Sequence, residues 1–221
     1  MSSPPTSASA RDLSLLQNRD YTIILARTAT AYPTPPPGVN ERWAAAQASI
    51  LALVQQCEAF DPDGITLYVA CQGDDGHCLF RKYNQVTSRN LIPVLEANYP
   101  PREVSLAVVL PNALDDYFKR KAAQVTQANG ETILVIVDGE PQGRLAIARA
   151  IVQATHQIDQ DAELGIGFVH IGEDPIAQGF LQALDDNLKG AGAKYDIVDT
   201  KALATITPHC LTDFLFSVLQ D

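Results

Sequence analysis

Glu131-Thr-Ile-Leu-Val-Ile-Val-Asp-Gly-Glu-Pro141 decides the fold class. Ile133 to Val137 is an unbroken run of branched apolar residues, with no polar residue alternating between them. Such a run predicts a strand buried on both faces, as strands are when helices cover both sides of a parallel sheet. Asp138-Gly139 ends the run and aims an acidic side chain out of the strand's carboxyl end. Pro141 is expected in the first turn of a following helix, to about Ile158.

Working outward, the same alternation recurs. Tyr21 to Ala26 is another short, mainly apolar and β-branched run. Ala31-Tyr-Pro-Thr-Pro-Pro-Pro-Gly38 after it carries four prolines, which exclude both helix and central strand. Asn40 is a plausible cap for a helix from Glu41 to Cys57, with Trp43, Ile50, Leu51 and Val54 on one face. Asp61-Pro-Asp-Gly64 is a turn, Ile65 to Cys71 a second strand, and Cys78 to Tyr83 an edge strand running back. Thr87 or Ser88 caps a short helix to Asn98, and a longer one spans Ser105 to Ala128 with strain at Pro111. Leu164 to Ile171, then a helix from Pro175 to Leu188, then Tyr195 to Val198 continue the pattern. A last helix fits Thr212 to Leu219. Strands alternating with helices predict an α/β fold: three layers, doubly wound, a mostly parallel sheet with one antiparallel edge strand. In such sheets ligands sit beyond the carboxyl ends of the strands, where strand order reverses.

The chain has 221 residues, which suggests one domain at 19–221 behind a flexible Ser- and Pro-rich tail at 1–18, with one helical turn at Leu13 to Leu16. The net charge is -10, so phosphate backbones and anionic lipid repel it, and nucleic acid is not an expected partner. No apolar run approaches the ~20 residues that cross a bilayer, so no membrane insertion is expected. The start lacks a basic segment followed by an apolar one, so no signal peptide is read and a cytoplasmic location is expected. Cys57, Cys71, Cys78 and Cys210 show no CxxC spacing and read as free thiols; a Cys71–Cys78 bridge is the alternative.

Three segments together resemble the von Willebrand factor A domain, in its intracellular bacterial and fungal form. Arg19-Asp-Tyr-Thr-Ile-Ile-Leu-Ala-Arg-Thr-Ala-Thr30 is similar to the family's first strand and its Asp-x-Ser-x-Ser loop. Glu131 to Pro141 resembles the fourth strand ending in Asp-Gly. Gly165-Ile-Gly-Phe-Val-His-Ile-Gly172, with Phe180 to Asp186 and Ala193 to Asp199, resembles the last two strands. The resemblance implies a cleft that holds Mg2+ or Mn2+ through oxygen ligands from the first loop, a Thr in a second loop and the Asp after the fourth strand. A partner's carboxylate completes that shell.

This chain departs from the pattern. Ala26 stands where the family has its first Asp, Thr28 and Thr30 stand at the two Ser positions, and Val104 falls near the Thr. Asp138 survives, with Glu140 beside it. A methyl group and a valine supply no oxygen, whereas Mg2+ demands an octahedral oxygen shell. No bound metal or other cofactor is therefore expected. An unpaired Asp138 in a partly buried cleft is costly, so water must reach it or Arg27 or Arg102 must stand in for the ion.

No phosphate-binding GxxxxGK[ST] loop and no Gly-x-Ser-x-Gly elbow is present, and no carboxylate nucleophile follows the first strand. Gly165 and Gly167 read as small residues under a helix, His170 as a hydrogen-bonded core residue, and Asp115-Asp116 and Asp185-Asp186 as solvated surface. The chain is thus read as a non-enzymatic module that binds another protein, a scaffold or assembly factor. The alternatives are metal-dependent adhesion through Thr28, Thr30, Asp138 and Glu140, and an enzyme of unrecognised type.

Overall fold

The computed structural model describes residues 13–28, 39–101, 103–206 and 210–220, without the side chains of 39–45. Thr30, the prolines of 33–37, the Trp43 side chain and Arg102 therefore lie outside the described residues. The strands are β1 (Asp20–Ala26), β2 (Ile65–Gln72), β3 (Cys78–Val86), β4 (Glu131–Val137), β5 (Leu164–His170) and β6 (Val198–Ala202). The helices are α1 (Val39–Phe60), α2 (Leu91–Glu96), α3 (Leu106–Ala122), α4 (Arg144–Thr155), α5 (Pro175–Asn187) and α6 (Leu211–Ser217).

The six strands form one sheet in the order β3-β2-β1-β4-β5-β6. All neighbours run parallel except β2 and β3. The edge strand is the one expected to run back. Strand period then divides the core. Ile23 and Leu25 of β1 and Leu134 and Ile136 of β4 face one layer, shared with Ile50, Leu53 and Val54 of α1 and with α6. Ile24 and Ala26, with Ile133, Val135 and Val137, face the other, under α3, α4 and α5. Burial on both faces explains why β4 lacks alternation: all seven of its residues are buried.

Several boundaries differ from expectation for local reasons. α4 starts at Arg144, not Pro141, because Gly143 turns the chain at φ 77° and caps the helix. A Cβ there would stand 2.5 Å from the Ala107 Cβ, so a glycine lets the starts of α3 and α4 approach. α3 stops at Ala122, short of Ala128, and Gln124 takes a left-handed φ of 56°. α2 begins at Leu91, because the Asn90 side chain accepts from the Thr87 N–H and holds the preceding turn. β6 lies at Val198–Ala202 instead of Tyr195–Val198: Tyr195 Oη donates to Asp159 O, and Lys194 N–H donates to Thr155 Oγ1, tying that stretch to the end of α4. Leu16 is fully buried and Leu15 packs against the same core, so the packed body begins ahead of the expected boundary at Arg19.

Other readings hold. Asp174 caps α5 through the Ile176 and Ala177 N–H groups, with Pro175 following it. Cβ atoms at Gly165 and Gly167 would press into Val218 and Phe214, so both glycines admit α6 and the residues just past it. The four cysteines are free.

Candidate functional site

Strand order reverses between β1 and β4, and the loops leaving their carboxyl ends diverge there. A cleft of about 180 Å³ opens at that point, lined by Ala26, Thr28, Glu103, Val104, Leu106 and the run from Val137 to Gln142. Ala26, Thr28, Val104, Asp138 and Glu140 thus meet in one place, as the sequence places them.

The two strand ends are bound together through side chains. Ala26 pairs with Val137 at the last rung of the β1–β4 ladder. Two residues on, the Thr28 N–H donates to Asp138 Oδ2 at 2.8 Å, and the Thr28 hydroxyl donates to the same oxygen at 2.9 Å. A carboxylate that receives an amide and a hydroxyl is well stabilised where water is partly excluded. Thr28 thus supplies two donors to Asp138 Oδ2.

Arg27 points elsewhere. Its guanidinium donates to Leu95 O at 2.6 Å and to Asn98 O, so it gathers carbonyls at the end of α2. Burial lowers its pKa from the usual arginine value, and the Asp138 charge opposes that shift. Arg27 acts on Asp138 through its field, while its hydrogen bonds anchor α2 below the cleft.

Around the rim, Gln142 Nε2 donates to Glu103 Oε2 at 2.9 Å, joining the loop before α3 to the loop before α4. Glu140 pairs with Arg144, whose guanidinium carbon lies 5.4 Å from the centre of the Phe180 ring on α5. Val108, Leu145 and Ile176 are 59%, 63% and 57% exposed. They occupy the first turns of α3, α4 and α5, at the end of the sheet where the cleft opens. His170 is half-buried at the end of β5, with Nδ1 3.3 Å from Gly172 O, a local structural contact.

Sequence reasoning missed a second cleft of about 290 Å³ near the amino end of β1, lined by residues that include Asp20, Asp61, Asp63, Lys82, Asp116 and Arg120. Asp116 is not merely solvated, since it pairs with Lys82 at 2.9 Å and with Arg120. Nor is Asp185, which accepts from the Thr200 N–H at 3.1 Å. Asp61 is buried and accepts from the Tyr21 N–H at 3.2 Å. Burial, then the adjoining Asp63, push its pKa up to about 8. The available signal was Asp61-Pro-Asp-Gly64, where two carboxylates flank a turn that begins at the foot of a buried strand.

No family model matches the sequence, and no curated protein matches it. Among solved structures, the chain is similar to proximal thread matrix protein 1 from the mussel byssus, with TM-score 0.53 and 13% identity over 92% of this chain. This chain spans about half of that protein, 47% of its length. It is also similar to the PilB minor pilin from Streptococcus sanguinis, with TM-score 0.45 and 8% identity, covering 91% of this chain and 61% of the pilin. At these identities the likeness concerns the fold alone.

Proposed function

We propose that this chain is a von Willebrand factor A-type module that binds another protein through the carboxyl ends of β1 and β4 without a metal. It works as a cytoplasmic scaffold or assembly factor and not as an enzyme. The observation that carries this reading is the pairing of Thr28 with Asp138 above a buried Ala26. A divalent ion at this cleft would need several oxygens in octahedral array. Ala26 and Val104 present methyl groups, and the surviving carboxylate already receives two donors from Thr28. The residues present do not suit Mg2+ or Mn2+, and they do suit a cleft that recognises shape and fixed side chains.

The exposed Val108, Leu145 and Ile176 add support. Apolar side chains gathered at one end of a molecule are a common mark of a protein-binding face. Among the described residues no helix is long and apolar enough to cross a membrane.

The test is affinity purification from the native host with wild type and Leu145→Glu, with and without chelator. Leu145 is exposed, so the charge leaves folding intact. The expected result is a partner that survives chelator and is lost with Leu145→Glu. Retention of every partner by Leu145→Glu argues against this face, and loss with chelator alone argues for the metal-dependent alternative.

A further inference from the structure

The two edges of the sheet end differently. β6 is five residues long. The Ile166 N–H donates to Ile197 O, which turns the Thr200 N–H away from β5 and onto Asp185 Oδ2 of α5, at 3.1 Å. β3 is nine residues long, and among the described residues it pairs with β2 alone. Its hairpin closes with the Gly73 N–H donating to His77 O at 2.8 Å, and the register runs on from there to Leu79 opposite Cys71 and Arg81 opposite Val69. Hydrogen-bonded pairs alternate along an antiparallel ladder. Leu79, Arg81 and Tyr83 therefore bond to β2, and the backbone groups of Cys78, Phe80 and Lys82 point outward. Gln72, opposite Cys78, follows the same alternation: its N–H is turned from β3 and donates to Tyr99 O at 2.8 Å. A row of unpaired N–H and C=O groups along an edge is a template for another strand.

We propose that the free edge of β3 takes an added strand, an extended peptide segment of a partner protein with an acidic residue opposite Arg81. Main-chain bonds would supply the affinity and alternate side chains the choice of partner. Arg81 is exposed and, among the described residues, has no ion-pair partner, whereas Lys82 is held by Asp116. On the same face as Arg81, Leu79 is 52% exposed and Tyr83 is half-buried. On the other face, Cys78 and Phe80 pack into the layer that α3 covers. In antiparallel docking Arg81 takes a position without hydrogen bonds to the added strand, where facing side chains approach closest. A carboxylate there meets an open guanidinium, and apolar residues two places to either side meet Leu79 and Tyr83. A second copy of this chain suits the edge less. Pairing two β3 strands about their centre sets Lys82 against Lys82 or Arg81 against Arg81, and like charges directly opposite oppose pairing. This edge is separate from the face at the carboxyl ends of β1 and β4, and the inference stands without that reading.

The probe is the blocked peptide acetyl-Thr-Val-Thr-Glu-Thr-Val-Thr-amide, which presents valine, glutamate and valine on one face in either direction of docking. It is titrated into the full 15N-labelled chain, with amide hydrogen exchange followed by NMR. Two companions are the same peptide with lysine in place of glutamate, and one N-methylated at the two threonines that flank the glutamate. The glutamate peptide is expected to shift the Phe80 and Lys82 amides saturably and to slow their exchange at least about tenfold at saturation. The lysine peptide should bind about fivefold more weakly, and Arg81→Glu, at an exposed position, should reverse that order. N-methylation should abolish the slowing, because it removes the donors that face Phe80 and Lys82. Unchanged exchange at millimolar peptide, equal binding of the lysine peptide, or slowing by the N-methylated peptide each overturn the proposal. Slow exchange at Phe80 and Lys82 in the free chain that is lost on dilution assigns the edge to a second copy and likewise overturns it.

Discussion

Thr28 and Asp138, 110 positions apart in sequence, close the carboxyl ends of β1 and β4 with two hydrogen bonds to one carboxylate oxygen. The bond from the amide is fixed by the backbone. The bond from the hydroxyl depends on the side chain and can be removed without disturbing the shape.

Thr28→Val keeps the volume and deletes the hydroxyl donor. It should cost about 1 kcal/mol, because the bond is charge-assisted but partly exposed to water. Denaturant midpoints with an unchanged slope check this, and Thr28→Ser should restore the wild-type value. An unchanged midpoint in Thr28→Val would mean that the amide alone satisfies the carboxylate.

Gly143 holds the wall of the cleft. Its φ of 77° and the 2.5 Å approach to the Ala107 Cβ leave no space for a methyl group. Gly143→Ala should destabilise by about 1–3 kcal/mol and shift the amides of Ala107 and Gln142. A folded variant with wild-type stability would show that the starts of α3 and α4 separate freely.

Asp61 makes stability depend on pH. Its pKa rises from an ordinary 3.8 to about 8 through burial and then the neighbouring Asp63. Between those values the folded chain keeps a proton that the unfolded chain has released. This group's contribution to stability is therefore full at about pH 4, falls as pH rises to about 8, and is constant beyond. Asp61→Asn retains an oxygen for the Tyr21 N–H and removes the charge. Relative to wild type it should gain stability steadily from pH 5 to pH 8, read from denaturant midpoints. A difference that stays constant over this window would show Asp61 ionised in the folded chain.

Much of this was legible in the sequence. Mainly apolar runs at Tyr21–Ala26 and Ile133–Val137 reveal strands covered on both faces, and their carboxyl ends locate the cleft. The edge strand after Gly73–Gly76 was legible because a short turn can join only antiparallel strands. What stayed hidden depends on contacts distant in sequence. Arg19 stands just ahead of a strand, yet it is 1% exposed and donates to Glu131 O at 2.7 Å and to Ala162 O. No local pattern announces such a partner. The Pro141 expectation failed because Gly143, two residues on, offers the turn a left-handed conformation that overrides proline's preference for a first helical turn. Arg27 was expected to stand in for an ion at Asp138; it feels that charge, but its guanidinium is held by carbonyls at the end of α2 that were invisible from β1 alone.

The most direct measurement is titration calorimetry of Mg2+ and Mn2+ into the wild-type chain and into Ala26→Asp, with thermal melts of both. Wild type should give no saturable heat and no metal-dependent melting shift. Ala26→Asp, with two carboxylates at the strand ends, should melt lower without metal and recover on its addition. Saturable binding to wild type that Asp138→Ala abolishes would contradict the account.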